Sequence, residues 1–238
     1  MIDLDSFDVL SFDCYGTIID WERGILAALE PVFDAHGVLL PSKETLELFG
    51  EFESRLEGGE YMEYRVVLQR VLDAFGARLG FTPSSGEREA FALSVSDWPP
   101  FPDSSRALKA LHTKYKLAII SNVDDDLFAH SARRLDMTFD WIITAQQVRS
   151  YKPSLQNFHR AFERIGVPRA RQLHVAQSLF HDIAPAKSLG LSTVWVNRRK
   201  AKGGTGATPP ASATPDLEVP DLETLASHAN VLGDGGRG

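Results

Sequence analysis

Five short apolar runs, rich in β-branched or aromatic residues, punctuate the chain at 7–12, 117–120, 141–144, 173–176 and 193–196. Each ends close to polar or turn residues, which predicts strands. Segments with helical spacing precede and separate the last four, over 104–114, 125–135, 154–165 and 183–189. Strand alternating with helix predicts a parallel sheet covered on both faces, with its ligand site at the carboxyl ends of the strands.

The interval 19–98 breaks that alternation. Phe49, Phe52 and Leu56, then Val66, Val67 and Val71, recur near helical spacing, with Gly58-Gly59, Gly76 and Thr82-Pro83 as breakers. The pattern predicts a helical insertion. The run Trp98-Pro99-Pro100-Phe101-Pro102 reads as its stiff return linker, since each proline fixes its own φ and restricts its neighbour. The fold class expected is therefore α/β, a Rossmann-like parallel-sheet core formed by 1–18 and 99–238 with a helical cap over 19–98. Residues 200–215 are low in complexity, and mobility without chemistry is expected there. A short helix over 221–229 and a glycine-rich tail follow.

Composition narrows the function classes. At 238 residues, 43% apolar and 24% charged, the chain suits an ordinary globular protein of one domain with an insertion. Its net charge is −7 with no long basic block, which argues against nucleic acid or an anionic membrane surface as partner. A small-molecule substrate is the default. No apolar run approaches the roughly 20 residues that span a bilayer, and the N-terminus lacks a basic-then-apolar leader pattern, so a cytoplasmic protein is expected. The single cysteine, Cys14, permits neither an intrachain disulfide nor a cysteine metal cluster.

Candidate chemistry gathers where the predicted strands end. Asp13 leaves the first strand, Ser121-Asn122 the second, Lys152-Pro153 follows the third, and Asp182 lies beyond the fourth. A lone Asp after a strand is more often a turn residue than a nucleophile. Four strand exits delivering a carboxylate, a hydroxyl with an amide, an ammonium and a second carboxylate change that balance. Lys152 can keep Asp13 ionised, Ser121 and turn amides can grip a polar group, and Asp182 can orient water. Other features have plainer readings. Asp124-Asp125-Asp126 is a helix cap with first-turn acids, Cys14 points into the core, and His181 lines a pocket or the surface.

The motifs Phe12-Asp13-Cys14-Tyr15-Gly16-Thr17, Ile119-Ile120-Ser121-Asn122, Tyr151-Lys152-Pro153 and the run from Val175 to Asp182 resemble, in order and spacing, those of the haloacid dehalogenase superfamily, over the chain to about residue 197. Phosphatases of that superfamily carry a second Asp where this chain has Tyr15, and a Gly-Asp magnesium ligand where it has Ala176-Gln177. Both differences resemble the L-2-haloacid dehalogenase branch, since halide departure needs no proton and a neutral amide is a weak magnesium ligand.

The resemblance implies hydrolysis of a carbon–halide bond without a metal or other cofactor, converting short 2-haloalkanoic acids to 2-hydroxy acids through an aspartyl ester. It implies catalytic roles for Asp13, Lys152, Asp182 and Thr17, with Tyr15, Ser121, Asn122, Gln177 and a cap arginine binding substrate and halide. Arg55 fits the branch's Arg-x-x-x-x-Glu-Tyr spacing through Glu60 and Tyr61, and Arg65 is a competing candidate. Relatives of this type are often homodimers. The chain departs from the branch at Gln177, Leu179 and Phe158, where polar residues are usual. The alternatives are a phosphatase acting on a small phosphoester, and a fold retained for binding alone.

Overall fold

The computed structural model describes residues 2–200 and 206–232. The glycine-rich tail and the centre of the low-complexity stretch, with the mobility expected there, lie outside the described residues. Six strands, β1 (Val9–Phe12), β2 (Lys116–Ser121), β3 (Trp141–Thr144), β4 (Gln172–Ala176), β5 (Ser192–Val196) and β6 (Leu217–Val219), form one sheet ordered β3-β2-β1-β4-β5-β6. Every pairing is parallel. The four residues of β1 are all buried, as expected of a central parallel strand covered on both faces. β6 was not expected from the sequence. It is three residues long, lies at the edge beside Pro220, and offers no β-branched run to reveal it.

Around the sheet lie α5 (Ser104–His112), α6 (Asp125–Leu135), α7 (Ala145–Val148), α8 (Gln156–Ile165), α9 (Ala184–Ser188) and α10 (Leu222–His228). The helix expected over 183–189 is preceded by a π-helical turn, Leu179–Ile183, so the chain leaving β4 coils before α9 begins. Phe12 pairs with Ile119 of β2 on one side and Val175 of β4 on the other. β1 is thus where strand order reverses, and the crevice beyond its carboxyl end is the place where such sheets bind ligands.

Between β1 and α5 the chain makes four helices, α1 (Trp21–Ala35), α2 (Ser42–Glu57), α3 (Tyr64–Leu79) and α4 (Ser85–Leu93). They pack around Phe49, Phe52, Leu68, Val71, Phe75 and Phe91, all buried. The insertion leaves and returns through a narrow neck, where the Asp20 amide donates to Pro99 and the Phe101 amide donates to Ile18. Its second anchor is Asp124. The carboxylate accepts the backbone amides of Tyr64 (2.8 Å) and Arg65 (3.0 Å), capping α3 from across the interface. The three-aspartate run is therefore a cap, but Asp124 caps a helix of the insertion rather than the helix it begins. At Gly50 a Cβ would lie 2.3 Å from the Ala207 carbonyl oxygen, so only glycine lets the segment at 206–208 lie against α2.

Candidate active site

Asp13 follows β1 directly, and Gly16 at φ +91° turns the chain so that Thr17 folds back on it. A Cβ at Gly16 would crowd the Trp21 indole nitrogen at 3.0 Å and the Gln177 side-chain oxygen at 3.1 Å. The Thr17 hydroxyl donates to Asp13 Oδ2 at 2.6 Å, and the amide of Gln177 donates to that hydroxyl at 2.9 Å. Lys152, 1% exposed, donates from Nζ to Asp13 Oδ1 (2.9 Å), Asp182 Oδ1 (2.6 Å) and the Ile120 carbonyl (2.8 Å). All three of its donors are used. The ammonium locks two carboxylates from separate strand exits into one cluster.

Burial lifts the Asp13 carboxyl above the ordinary aspartate range, and Lys152 pulls it back. Burial also works against ionisation of Asp182, but Lys152 and His174 together hold that group below its ordinary value. The two acids are thereby told apart. Asp182 is the more firmly held anion, and Asp13 is the more basic of the two.

His174 is the residue sequence reasoning missed. It is fully buried on β4, donates from Nε2 to Asp182 Oδ1 at 3.0 Å, and meets the Ser11 hydroxyl at Nδ1 at 2.9 Å. Phe158, where a tyrosine is usual in the resembling branch, sets its ring edge-on to this imidazole at 5.1 Å. With Oδ1 taken by Lys152 and His174, Asp182 Oδ2 is buried without a partner, as is the Ser121 hydroxyl. One acceptor and one donor remain for water and substrate.

Both belong to a cavity of about 30 Å³ over Asp13, lined also by Tyr15, Trp21, Asn122, Gln177, Ser178 and His181. That is room for on the order of two water-sized groups. Tyr15 walls the cavity with its ring, edge-on to Trp98 at 5.5 Å, while its hydroxyl meets Ser131 at 3.0 Å, and burial pushes its ionisation far up. It is no acid for a leaving group. Cys14 is buried in the core. His181 lines the cavity, with burial lowering its pKa to about 4, so the imidazole is neutral. Thr208, in the segment expected to be without chemistry, also lines the cavity and donates to Gln177 Oε1 at 3.1 Å. That expectation is corrected: the segment passes over α2 and supplies a wall.

The insertion's contribution differs from the expected arginine. Arg55 is exposed and lies over the Phe52 ring at 5.6 Å, outside this cavity. Arg65 is held on Asp126 (2.6 Å) and Asp124 (3.4 Å). The side chains that do reach the cavity from α2 and α3 are Glu53, Glu57 and Tyr64. Tyr64 donates its hydroxyl to Glu53 at 2.6 Å. Asn122 donates to Glu57 at 3.1 Å and to the Lys152 carbonyl at 3.1 Å, while its own oxygen accepts the Lys152 amide, so both its amide protons are engaged. Burial raises Glu53 to about 8 and Glu57 well above its ordinary value. Glu57, Lys152 and His181 also line a vestibule of about 430 Å³ that contains Arg149 and Tyr61.

A magnesium ion, which the phosphatases of this fold imply, does not fit these residues. The Lys152 ammonium already bridges Asp13 and Asp182, and the third position is the Gln177 amide, engaged by Thr208. Among the described residues no group of three His, Cys, Asp or Glu side chains is placed to hold a metal.

The haloacid dehalogenase-like hydrolase family model matches residues 7–190. The chain belongs to this family. Among its relatives, (S)-2-haloacid dehalogenase H-109 of Pseudomonas putida is 26% identical over 219 residues, covering 90% of this chain and 94% of that protein. Glyceraldehyde 3-phosphate phosphatase of Methanothermobacter thermautotrophicus is 29% identical over 174 residues, covering 72% and 75%. In fold the chain resembles the L-2-haloacid dehalogenase of Xanthobacter autotrophicus, solved with chloropropionic acid covalently bound, at a TM-score of 0.79 and 23% identity, covering 95% of this chain and all of that one. Family and fold agree with the motif reading. No helix among the described residues is long and apolar enough to cross a membrane.

Proposed function

We propose that this family member is a hydrolytic dehalogenase of short haloalkanoic compounds, the class that includes the 2-haloalkanoic acids its relatives are named for. One observation carries the reading: Lys152 bridges Asp13 and Asp182 in a cavity whose Tyr15 is no leaving-group acid and whose Gln177 is no carboxylate ligand for magnesium. In the first step a carboxylate oxygen of Asp13 attacks the halogen-bearing carbon, the new C–O bond forms, and halide leaves with the C–X electron pair. Thr17 on Oδ2 and Lys152 on Oδ1 fix the angle of that attack.

In the second step, water held at the free Oδ2 of Asp182 adds to the Asp13 carbonyl. The ester C–O bond breaks, the alcohol oxygen takes one proton, and the other leaves with regeneration of the carboxylate. Each turnover consumes one water and yields one alcohol, one halide and one proton. Lys152 can stabilise the oxyanion formed at Asp13 during that attack.

The phosphatase relative, 29% identical over 174 residues, favours a second reading by sequence, but the site residues do not. Phosphoryl transfer needs charge neutralisation and a proton for the leaving group, and Tyr15 and Gln177 offer neither. The test is halide release from chloroacetate, 2-chloropropionate and their amides, with and without EDTA. Release that is indifferent to EDTA and lost in Asp13→Asn supports the proposal. Phosphate release that needs added magnesium, with no halide from any of these compounds, overturns it.

A further inference from the structure

A short haloacid brings its own negative charge into the cavity. The residues that line it already hold two carboxylates against one ammonium, leaving one net negative charge before substrate binds. Lys152 has no spare donor, and neither arginine candidate reaches this cavity. The wall facing in from the insertion instead carries two acids. Glu57 accepts from Asn122, which leaves its second oxygen for a ligand or for a proton. Glu53 accepts from the Tyr64 hydroxyl in the same way. Such a wall cannot neutralise a carboxylate; ionised it repels one, and protonated it offers only neutral hydrogen bonds.

We infer that Glu53 and Glu57 make this pocket selective for uncharged halo-compounds with a hydrogen-bonding group on the neighbouring carbon, such as a 2-haloamide, over the corresponding haloacid. The inference rests on the dehalogenase reading and names its substrate class. Burial raises both glutamic acids, Glu53 to about 8, and a carboxyl that keeps its proton acts as donor as well as acceptor, matching an amide or hydroxyl that needs both. The Ser121 hydroxyl, buried without a partner, supplies a third contact. Glu57 also lines the neighbouring larger pocket, which Arg149 lines as well.

The experiment compares kcat/KM for chloroacetamide and chloroacetate at pH 7, each divided by its rate with free acetate ion as nucleophile, so that intrinsic reactivity cancels. Cys14, the only thiol, is buried and does not compete for the reagent. The expected normalised preference for the amide is at least about tenfold, the factor that 1.4 kcal/mol of differential binding gives. Glu57→Arg is expected to move that preference at least tenfold toward chloroacetate, and Glu57→Gln to leave it within about threefold. A wild-type preference below tenfold overturns the inference whether or not the variants fold, and so does a Glu57→Arg enzyme that folds and keeps the wild-type ratio. Halide from neither compound overturns the dehalogenase reading, and this inference with it.

Discussion

The floor and the roof of the cavity are built from different kinds of information. The floor is set near strand ends: Asp13 directly after β1 and Ser121 at the end of β2, with Lys152 beyond β3 and the short α7, and Asp182 in the π-helical turn beyond β4. The roof is set by which face of α2 turns inward. Glu53 and Glu57 are one helical turn apart and share a face, whereas Arg55, two residues from each, lies about 200° around the helix from Glu53. Spacing along the chain located the floor and misplaced the roof for that reason. The same reaction frame can therefore be kept while the chemistry of its lid is exchanged.

The largest expected effect breaks the floor. Asp13→Asn removes the nucleophile and is expected to lower halide release by at least ~10⁴-fold, with the circular dichroism spectrum unchanged. A residual rate above one-hundredth of wild type would show that another group attacks. Next comes the support beneath Asp182. His174→Ala frees Asp182 Oδ1 from one of its two donors and is expected to slow turnover by ~10–100-fold, the range for a group that orients a reacting one. Its burden falls on ester hydrolysis, so the aspartyl ester should accumulate in a burst that wild type lacks.

The pH profile separates floor from roof. Because burial raises Asp13, its protonation ends activity on the acid side at a pH above the ordinary value of 3.8. On the alkaline side, ionisation of Glu53 at about 8 adds a charge to the roof, so kcat/KM should fall there, and Glu53→Gln should remove that fall. The same residue links pH to stability. Its folded-state pKa is raised, so the native chain keeps a proton that the unfolded chain loses above about 4.5, and the stability so gained is lost as pH rises through about 8. Glu53→Gln should therefore gain on wild type by about 4 kcal/mol between pH 5 and pH 9 in urea melts. The smallest effect is expected at Arg55→Ala, within about twofold in kcat/KM, since that side chain lies on Phe52 outside the cavity.

Much of the fold was legible because parallel strands between helices announce themselves by hydropathy, and β1 through β5 lie close to where those runs fall. β6 escaped because a three-residue edge strand carries too little pattern. Within the site, His174 was hidden in an apolar-rich strand, although a histidine two residues before the strand's end is a polar group on a buried surface and so a signal of a partner. Glu53 left a signal as well. It falls in phase with Leu46, Phe49 and Phe52, on the buried stripe of α2, and an acid on such a stripe is placed for function or paired. Thr208 left none, because a loop's path over α2 depends on Gly50 and on contacts far apart in sequence.

The central claim is that Asp13 becomes an ester during turnover. It is tested most directly by quenching a single turnover of the His174→Ala enzyme with bromoacetamide and measuring the intact mass, followed by peptide mapping. A transient adduct with the mass of the substrate less halide, confined to the peptide holding Asp13 and decaying as the hydroxy product appears, is the predicted result. Stoichiometric halide release with the chain's mass unchanged throughout, or an adduct on any other residue, would contradict it.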